Sequence, residues 1–155
     1  MENSFSTVKN ITKTKQSYFD KNLDFQYSNF LSCGGLRISG HFKKSFHDKP
    51  LISIITTSLN SSKTIEKTIQ SVLNQSYDNI EFIIVDGNST DGTIDIIKKY
   101  EKFIDFWISE NDNGIFDGMN KGIKISTGDI IGILNSDDIY TKDALLLVKK
   151  YFEKK

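Results

Sequence analysis

At 155 residues the chain has the length of one domain rather than two. Hydrophobic residues make up 37% of it and charged residues 26%, a balance that supports a globular core and excludes a wholly disordered chain. Twenty basic and twenty acidic side chains cancel, which excludes a bulk field for holding nucleic acid or an anionic membrane; any charge-based function has to be local.

Residues 1–49 are rich in Lys, Ser, Asn and Phe and show no sustained helical or strand period. They are expected to be a weakly ordered N-terminal arm, loosest over 1–30 and laid on the following domain over 31–49. The polar start lacks the apolar core of a secretory signal, and no apolar run approaches the roughly 18 residues of a membrane span. Cys33, the single cysteine, precludes an internal disulfide and a cysteine zinc site, so a reducing, cytoplasmic setting is expected. Cys33-Gly34-Gly35 reads as a turn. His41 and His47 are too few for a histidine metal cage.

Pro50 opens a patterned domain over 50–155. Residues 51–57 are a β-branched run, the signature of a strand buried on both faces. Ile65, Ile69, Val72 and Leu73 form one helical face, with Asn60, Ser61 or Ser62 available as cap. Residues 80–85 predict a second strand. Ile94, Ile97 and Tyr100 predict a second helix, with Asp91 as its cap. Residues 106–108 give a short third strand with Phe106 and Trp107 in the core, and Phe116, Met119 and Ile123 a third helical face. Residues 129–134 predict a fourth strand, and Thr141 caps a last helix carrying Leu145, Leu146, Val148 and Phe152.

Strands alternating with helices imply right-handed crossovers and an α/β fold: a mostly parallel, doubly wound sheet with helices on both faces. In such sheets ligands bind outside the carboxyl ends of the strands. Polar residues without a packing role fall at those ends: residues 57–60, Asp86, and the pair Asp137 and Asp138. The glycine fingerprint of dinucleotide folds, the phosphate loop of NTPases and the hydrolase nucleophile elbow are all missing from the sequence.

Two readings stand at each rim position. Asp137 and Asp138 repel one another unless something neutralises them; a hard divalent cation sharing substrate phosphates does so, and a turn before a helix also accommodates them. Asp86 either accepts a base N–H or satisfies turn amides before Gly87. Lys121, beside Asn120, either is solvated or reaches a phosphate.

Six segments in order resemble family 2 glycosyltransferases with the Rossmann-like GT-A fold. Residues 54–60 are similar to the family's first strand and nucleotide loop, and residues 71–77 to its "SVLNQTY" helix end. Residues 84–93 are similar to "VDGGSTDGT", and residues 109–122 to "SEPDKGIYDAMNKG". Residues 126–129 and 135–138 resemble "ATGD" and the "NSDD" form of the DxD motif. The resemblance implies that Asp86 binds the nucleobase with Thr57 beside it, and that Leu59 stands where an aromatic residue often stacks on the base. It implies that Asn120 and Lys121 lie near the diphosphate, that Asp138 ligates Mn²⁺ or Mg²⁺, and that Asp137 contacts the ribose or the metal shell.

The implied activity is inverting, metal-dependent transfer of a sugar from a nucleotide diphosphate-sugar, a UDP-sugar, to a glycan or lipid-linked acceptor. A lipid-linked acceptor implies peripheral association with the inner membrane face. The family's general base belongs to a half expected after the DxD motif, whereas this chain runs only to Lys155. A donor-binding fragment that is inactive or dependent on a partner is therefore the alternative. A receiver-like signalling domain is a third, but it needs a lysine ending a later strand, and no such strand is predicted.

Overall fold

The computed structural model describes residues 31–152. Its sheet consists of β1 (Ser32–Gly34), β2 (Ile52–Ser58), β3 (Ile80–Asp86), β4 (Phe106–Ser109) and β5 (Ile130–Ile133), in the order β1-β4-β3-β2-β5. The β4-β3, β3-β2 and β2-β5 pairs are parallel and β1 is antiparallel to β4. The helices are α1 (Ile65–Leu73), α2 (Thr93–Lys99), α3 (Ile115–Ile125) and α4 (Ala144–Phe152).

Every residue of β2 and β3 is buried, as their isoleucine-rich composition requires of strands with a neighbour on each side and cover on both faces. On one face Ile52, Ile54, Phe82, Ile84 and Trp107 pack with Ile65, Ile69 and Val72 of α1, Ile97 of α2 and Leu145 of α4. On the other, Ile83, Val85, Phe106 and Ile108 pack with Ile125 of α3 and with Ile38 from a 3₁₀ turn over Leu36–Ser39. The chain moves outward from β2 through β3 to β4, then returns over α3 to place β5 on the other side of β2. The topological switch point therefore lies between β2 and β5.

The expected elements form within a residue or two of their predicted limits, with three differences. The first is the N-terminal arm. Residues 1–30 lie outside the described residues, but 31–49 does more than lie on the domain. Cys33 and Gly34, expected in a turn, belong to edge strand β1. A Cβ on Gly34 would stand 2.5 Å from Trp107 Nε1, so only glycine lets this strand approach the tryptophan. Arg37 and Glu81 are 2% and 1% exposed and form a buried ion pair across the sheet face. Arg37 also donates to the Ile125 carbonyl at 2.7 Å and to Thr127 Oγ1 at 3.3 Å, while Glu81 accepts from Ser53 Oγ at 2.6 Å and Thr127 N at 2.8 Å.

The second difference is α3. Phe116 and Ile123, expected to pack, are exposed, and the buried positions are Gly118, Gly122 and Ile125. The helix docks through glycines because it lies almost on the sheet. A Cβ on Gly122 would come within 2.3 Å of Ile55 Cγ2, and one on Gly118 within 3.0 Å of Thr57 Cγ2. The third is α4, where only Leu145 of the expected apolar side is buried.

Gly122→Ala should force α3 away from β2 and cost about 1–3 kcal/mol by overpacking. Urea unfolding checks this: the midpoint should fall with the slope unchanged. An unchanged or raised midpoint contradicts the close-packed helix.

Candidate functional site

A cleft of about 820 Å³ opens at the carboxyl ends of β2 and β5, at the switch point. Thr57, Ser58 and Leu59 form its floor at the end of β2, followed by Asn60, Ser61, Lys63 and Thr64 leading into α1. Asp112, Gly114 and Ile115 wall it at the start of α3, and Asn135, Ser136 and Asp137 at the end of β5. Asp91 lines it from the start of α2.

Strand register explains much of its construction. Ser58 on β2, Asp86 on β3 and Ser109 on β4 are direct neighbours across three strands. The Asp86 side chain has no exposed surface, so its charge must be met from within. Oδ1 accepts from Ser58 Oγ at 2.9 Å and Ser89 Oγ at 2.5 Å. Oδ2 accepts from Ser89 N at 2.9 Å and Ser109 Oγ at 2.8 Å. Four donors fill the roughly four acceptor positions of a carboxylate.

The loops above this floor are tied to one another. Asn60 N donates to Ser89 Oγ and Thr90 N to Asn60 Oδ1, joining the loops after β2 and β3. Asp91 Oδ1 accepts from Thr93 N and Oγ1, and Oδ2 from Ser62 N, so Asp91 caps α2 with its side chain although Gly92 is the boundary residue. The Thr93 hydroxyl and then the Ser62 amide hold the Asp91 carboxyl well below the usual carboxylate range. Ser61 and Ser136 hydroxyls meet at 2.7 Å across the switch point. Buried Thr68 of α1 donates to the carbonyls of Ser136 at 3.0 Å and Asp138 at 2.8 Å, fixing the loop that carries both aspartates.

Not every predicted site residue meets at this cleft. Thr57, Leu59 and Asp137 line it; Asp138, exposed, follows directly on Asp137. Asp86 does not line it, and its saturated carboxylate reaches a base only if a serine is displaced. Asn120 is exposed on α3, away from the lining. Lys121 is neither solvated nor directed at the cleft: it pairs with Glu110 at 2.7 Å and Asp117 at 2.9 Å. Burial by itself would lower its ammonium, but those two carboxylates outweigh it and raise it. Lys121 in turn holds the Asp117 carboxyl low.

Four buried side-chain atoms have no hydrogen-bond partner among the described residues: Thr56 Oγ1, Thr57 Oγ1, Asn135 Oδ1 and Glu110 Oε1, the last of which is met by the Lys121 ammonium; of these residues Thr57 and Asn135 line the cleft. Such atoms cost free energy unless something else satisfies them. Sequence reasoning missed Asp112, Asn135 and Ser136 as cleft residues. The available signal was the one that found Asp86: polar residues directly after a strand.

Asp137 and Asp138 suit a hard cation that takes one or two carboxylates and completes its shell with phosphate and water. No cluster of three or more His, Cys, Asp or Glu side chains suited to a metal exists among the described residues. The donor set therefore fits Mg²⁺ or Mn²⁺ held jointly with a ligand, not a closed protein cage. No helix among the described residues is long and apolar enough to cross a membrane.

A parallel doubly wound sheet with a polar cleft at its switch point is the frame of a nucleotide-binding protein. The model of the family described as Glycosyl transferase family 2 matches residues 53–155, and the chain belongs to that family. It is 44% identical over 100 residues to TuaG of Bacillus subtilis, whose name places it in teichuronic acid biosynthesis; the match covers 63% of this chain and 40% of TuaG. It is 42% identical over 91 residues to WfaP of Escherichia coli, named as a UDP-Glc:alpha-D-GlcNAc-diphosphoundecaprenol beta-1,3-glucosyltransferase, covering 58% of this chain and 36% of WfaP. The S. aureus TarS 1-349 structure in complex with UDP-GlcNAc superposes with a TM-score of 0.62 at 25% identity, covering 67% of this chain and 31% of that one. The fold is thus that of GT-A glycosyltransferases, and the chain spans about two-fifths of the length of the curated relatives it matches.

Asp86→Ala should strand one part-buried amide and three hydroxyls at about 1–3 kcal/mol each, for a total loss of at least about 4 kcal/mol. Asp86→Asn should cost less, because the hydroxyls can turn to donate or accept whereas Ser89 N–H cannot. Thermal unfolding of both variants decides: equal, small losses contradict the saturated carboxylate.

Proposed function

We propose that the cleft binds a nucleotide diphosphate-sugar, a UDP-sugar, and that the protein transfers the sugar to a glycan or lipid-linked acceptor with inversion. The observation that carries this reading is the position of Asp137 in the cleft wall at the switch-point end of β5, with Asp138 directly after it, across from a floor that holds an unpartnered threonine hydroxyl. Similar proteins support it: TarS has a structure in complex with UDP-GlcNAc, and WfaP is named for a UDP-Glc donor and a diphosphoundecaprenol-linked acceptor.

In this reading Asp138 holds Mn²⁺ or Mg²⁺, with Asp137 at the metal shell or the ribose. When bound, the ion supplies Lewis-acid stabilisation of the departing diphosphate. The chain's own residues orient the donor. Thr57 and Leu59 floor the nucleoside end, and the amino ends of α1 and α3 present positive dipole ends to the phosphates. Thr68 keeps the two aspartates in place through their backbone. Contact of Asn120 or Lys121 with the diphosphate would require Lys121 to leave Glu110 and Asp117. We assign no general base within the cleft. A lipid-linked acceptor would place the reaction at the inner face of the membrane, with peripheral association.

A second reading is a donor-binding unit that turns over only with a partner, since the cleft carboxylates are committed to capping or to the proposed metal and none is assigned as general base. Turnover separates the two. Acceptor glycosylation by the purified 155-residue chain, followed by mass spectrometry, supports the complete enzyme, and nucleotide binding without transfer supports the binding unit.

UDP binding should depend on Mn²⁺ or Mg²⁺, and Asp138→Ala should weaken it at least tenfold, about 1.4 kcal/mol. Calorimetry giving equal affinity in EDTA and in Mn²⁺ would exclude the metal role.

A further inference from the structure

Asp137 and Asp138 sit on a stretch whose path is set from outside. From Leu134, after β5, to Asp143, before α4, the chain forms no regular element. Three polar side chains hold it: Thr68 and Ser71 on α1, and Gln75 just past the end of that helix. Spacings of three and four put them in one line along the helix. None of them lines the cleft, so each acts only through the backbone it holds.

Thr68 does not suffice alone. Its hydroxyl has one proton, and two carbonyls share it, Ser136 at 3.0 Å and Asp138 at 2.8 Å. A backbone held by one shared proton is free to rock between its two acceptors unless it is also fixed on the far side. Ser71 and Gln75 supply that restraint. Ser71 Oγ donates to the Thr68 carbonyl at 2.8 Å and accepts from Tyr140 N, two residues past Asp138, at 3.1 Å. Gln75 uses both ends of its amide. Nε2 donates to the carbonyls of Ser71 at 3.0 Å and Thr141 at 2.7 Å, and Oε1 accepts from Leu145 N at 3.0 Å. Leu145 N lies in the first turn of α4, where a helix offers its amides no partner of its own.

We propose that Ser71 and Gln75 are positioning residues for the aspartate pair: they pin the chain beyond Asp138, so that the two carboxylates meet the metal in one arrangement. The assignment rests on the reading of Asp138 as metal ligand in a nucleotide-sugar cleft. A cation held by one or two carboxylates and a ligand's phosphates has no closed protein cage to correct a misplaced oxygen. Its affinity therefore depends on the bonds that support those carboxylates from behind.

The test is a double-mutant cycle on the affinity of the 155-residue chain for UDP in excess Mn²⁺, measured by calorimetry on variants shown to be folded by circular dichroism. Ser71→Ala frees Tyr140 N. Gln75→Glu keeps an acceptor for Leu145 N but sets an oxygen against the Thr141 carbonyl. Each should weaken UDP binding at least threefold. Neither should weaken it further in an Asp138→Ala background, because the carboxylate through which they act is gone. No loss in a folded variant, or the same loss in both backgrounds, is what a merely structural role gives; either result overturns the proposal and leaves the donor cleft standing. Should Gln75→Glu fail to fold, Ser71→Ala, which puts a strong helix former on α1, carries the cycle with the same outcomes. In the wild type the Tyr140 and Leu145 amides should exchange slowly with solvent, and fast exchange of both overturns the tether without any variant. If wild-type affinity for UDP is equal in EDTA and in Mn²⁺, the metal reading of the two aspartates fails and this assignment with it.

Discussion

A carboxylate with no exposed surface must be given hydrogen-bond donors where it lies, and Asp86 at the end of β3 imposes that demand on the whole rim of the sheet. The register brings Ser58 and Ser109 to either side of it, and the following loop folds back so that Ser89 supplies both a hydroxyl and an amide. Three strand ends and one loop are thereby held in a fixed relation. Asn60 and Ser61, which follow Ser58, are then joined to the loops after β3 and β5. The cleft is what remains above this pinned row.

A second buried acid sits near the other end of the same strand and faces the opposite side. Glu81 is met by Ser53, Thr127 and Arg37, which ties the segment before Pro50 and the end of α3 to the sheet. Removing one member of such a pair is far costlier than the pair's own net contribution, because the remaining charge stays buried. Between these two anchors α3 lies close enough to β2 for its glycines to touch Ile55 and Thr57. That closeness brings the start of α3, and Asp112 before it, over the ends of β2 and β3.

Much of this was legible in the sequence because the signals were local. The β-branched runs gave β2 and β3, and polar residues directly after strands gave the position of the rim. The face of α3 was misread because periodicity counts apolar side chains, and this helix packs through Gly118 and Gly122 while Phe116 stays outside. Edge strand β1 is only three residues long and contains a glycine, which leaves no alternation to detect. The setting of Asp86 was hidden for another reason: its donors lie 28, 3 and 23 positions away, so their convergence belongs to the register and not to any one segment. Lys121 likewise reads as a solvated cation until Glu110 is brought beside it by the turn after β4.

The sheet's other end offers a contrast, since a depression there is lined by Ser45, Phe46, His47, Asp48, Pro50, Asp129 and Phe152 and lies far from the switch point. The central claim is that the nucleotide-sugar binds at the carboxyl ends of β2 and β5 and nowhere else on the sheet. The most direct measurement is the map of amide shift changes when UDP-sugar is added with Mg²⁺. Changes confined to residues 57–64, 112–115 and 135–138 are predicted. Changes centred on residues 45–50 and 129, with the switch-point residues unmoved, would contradict the account.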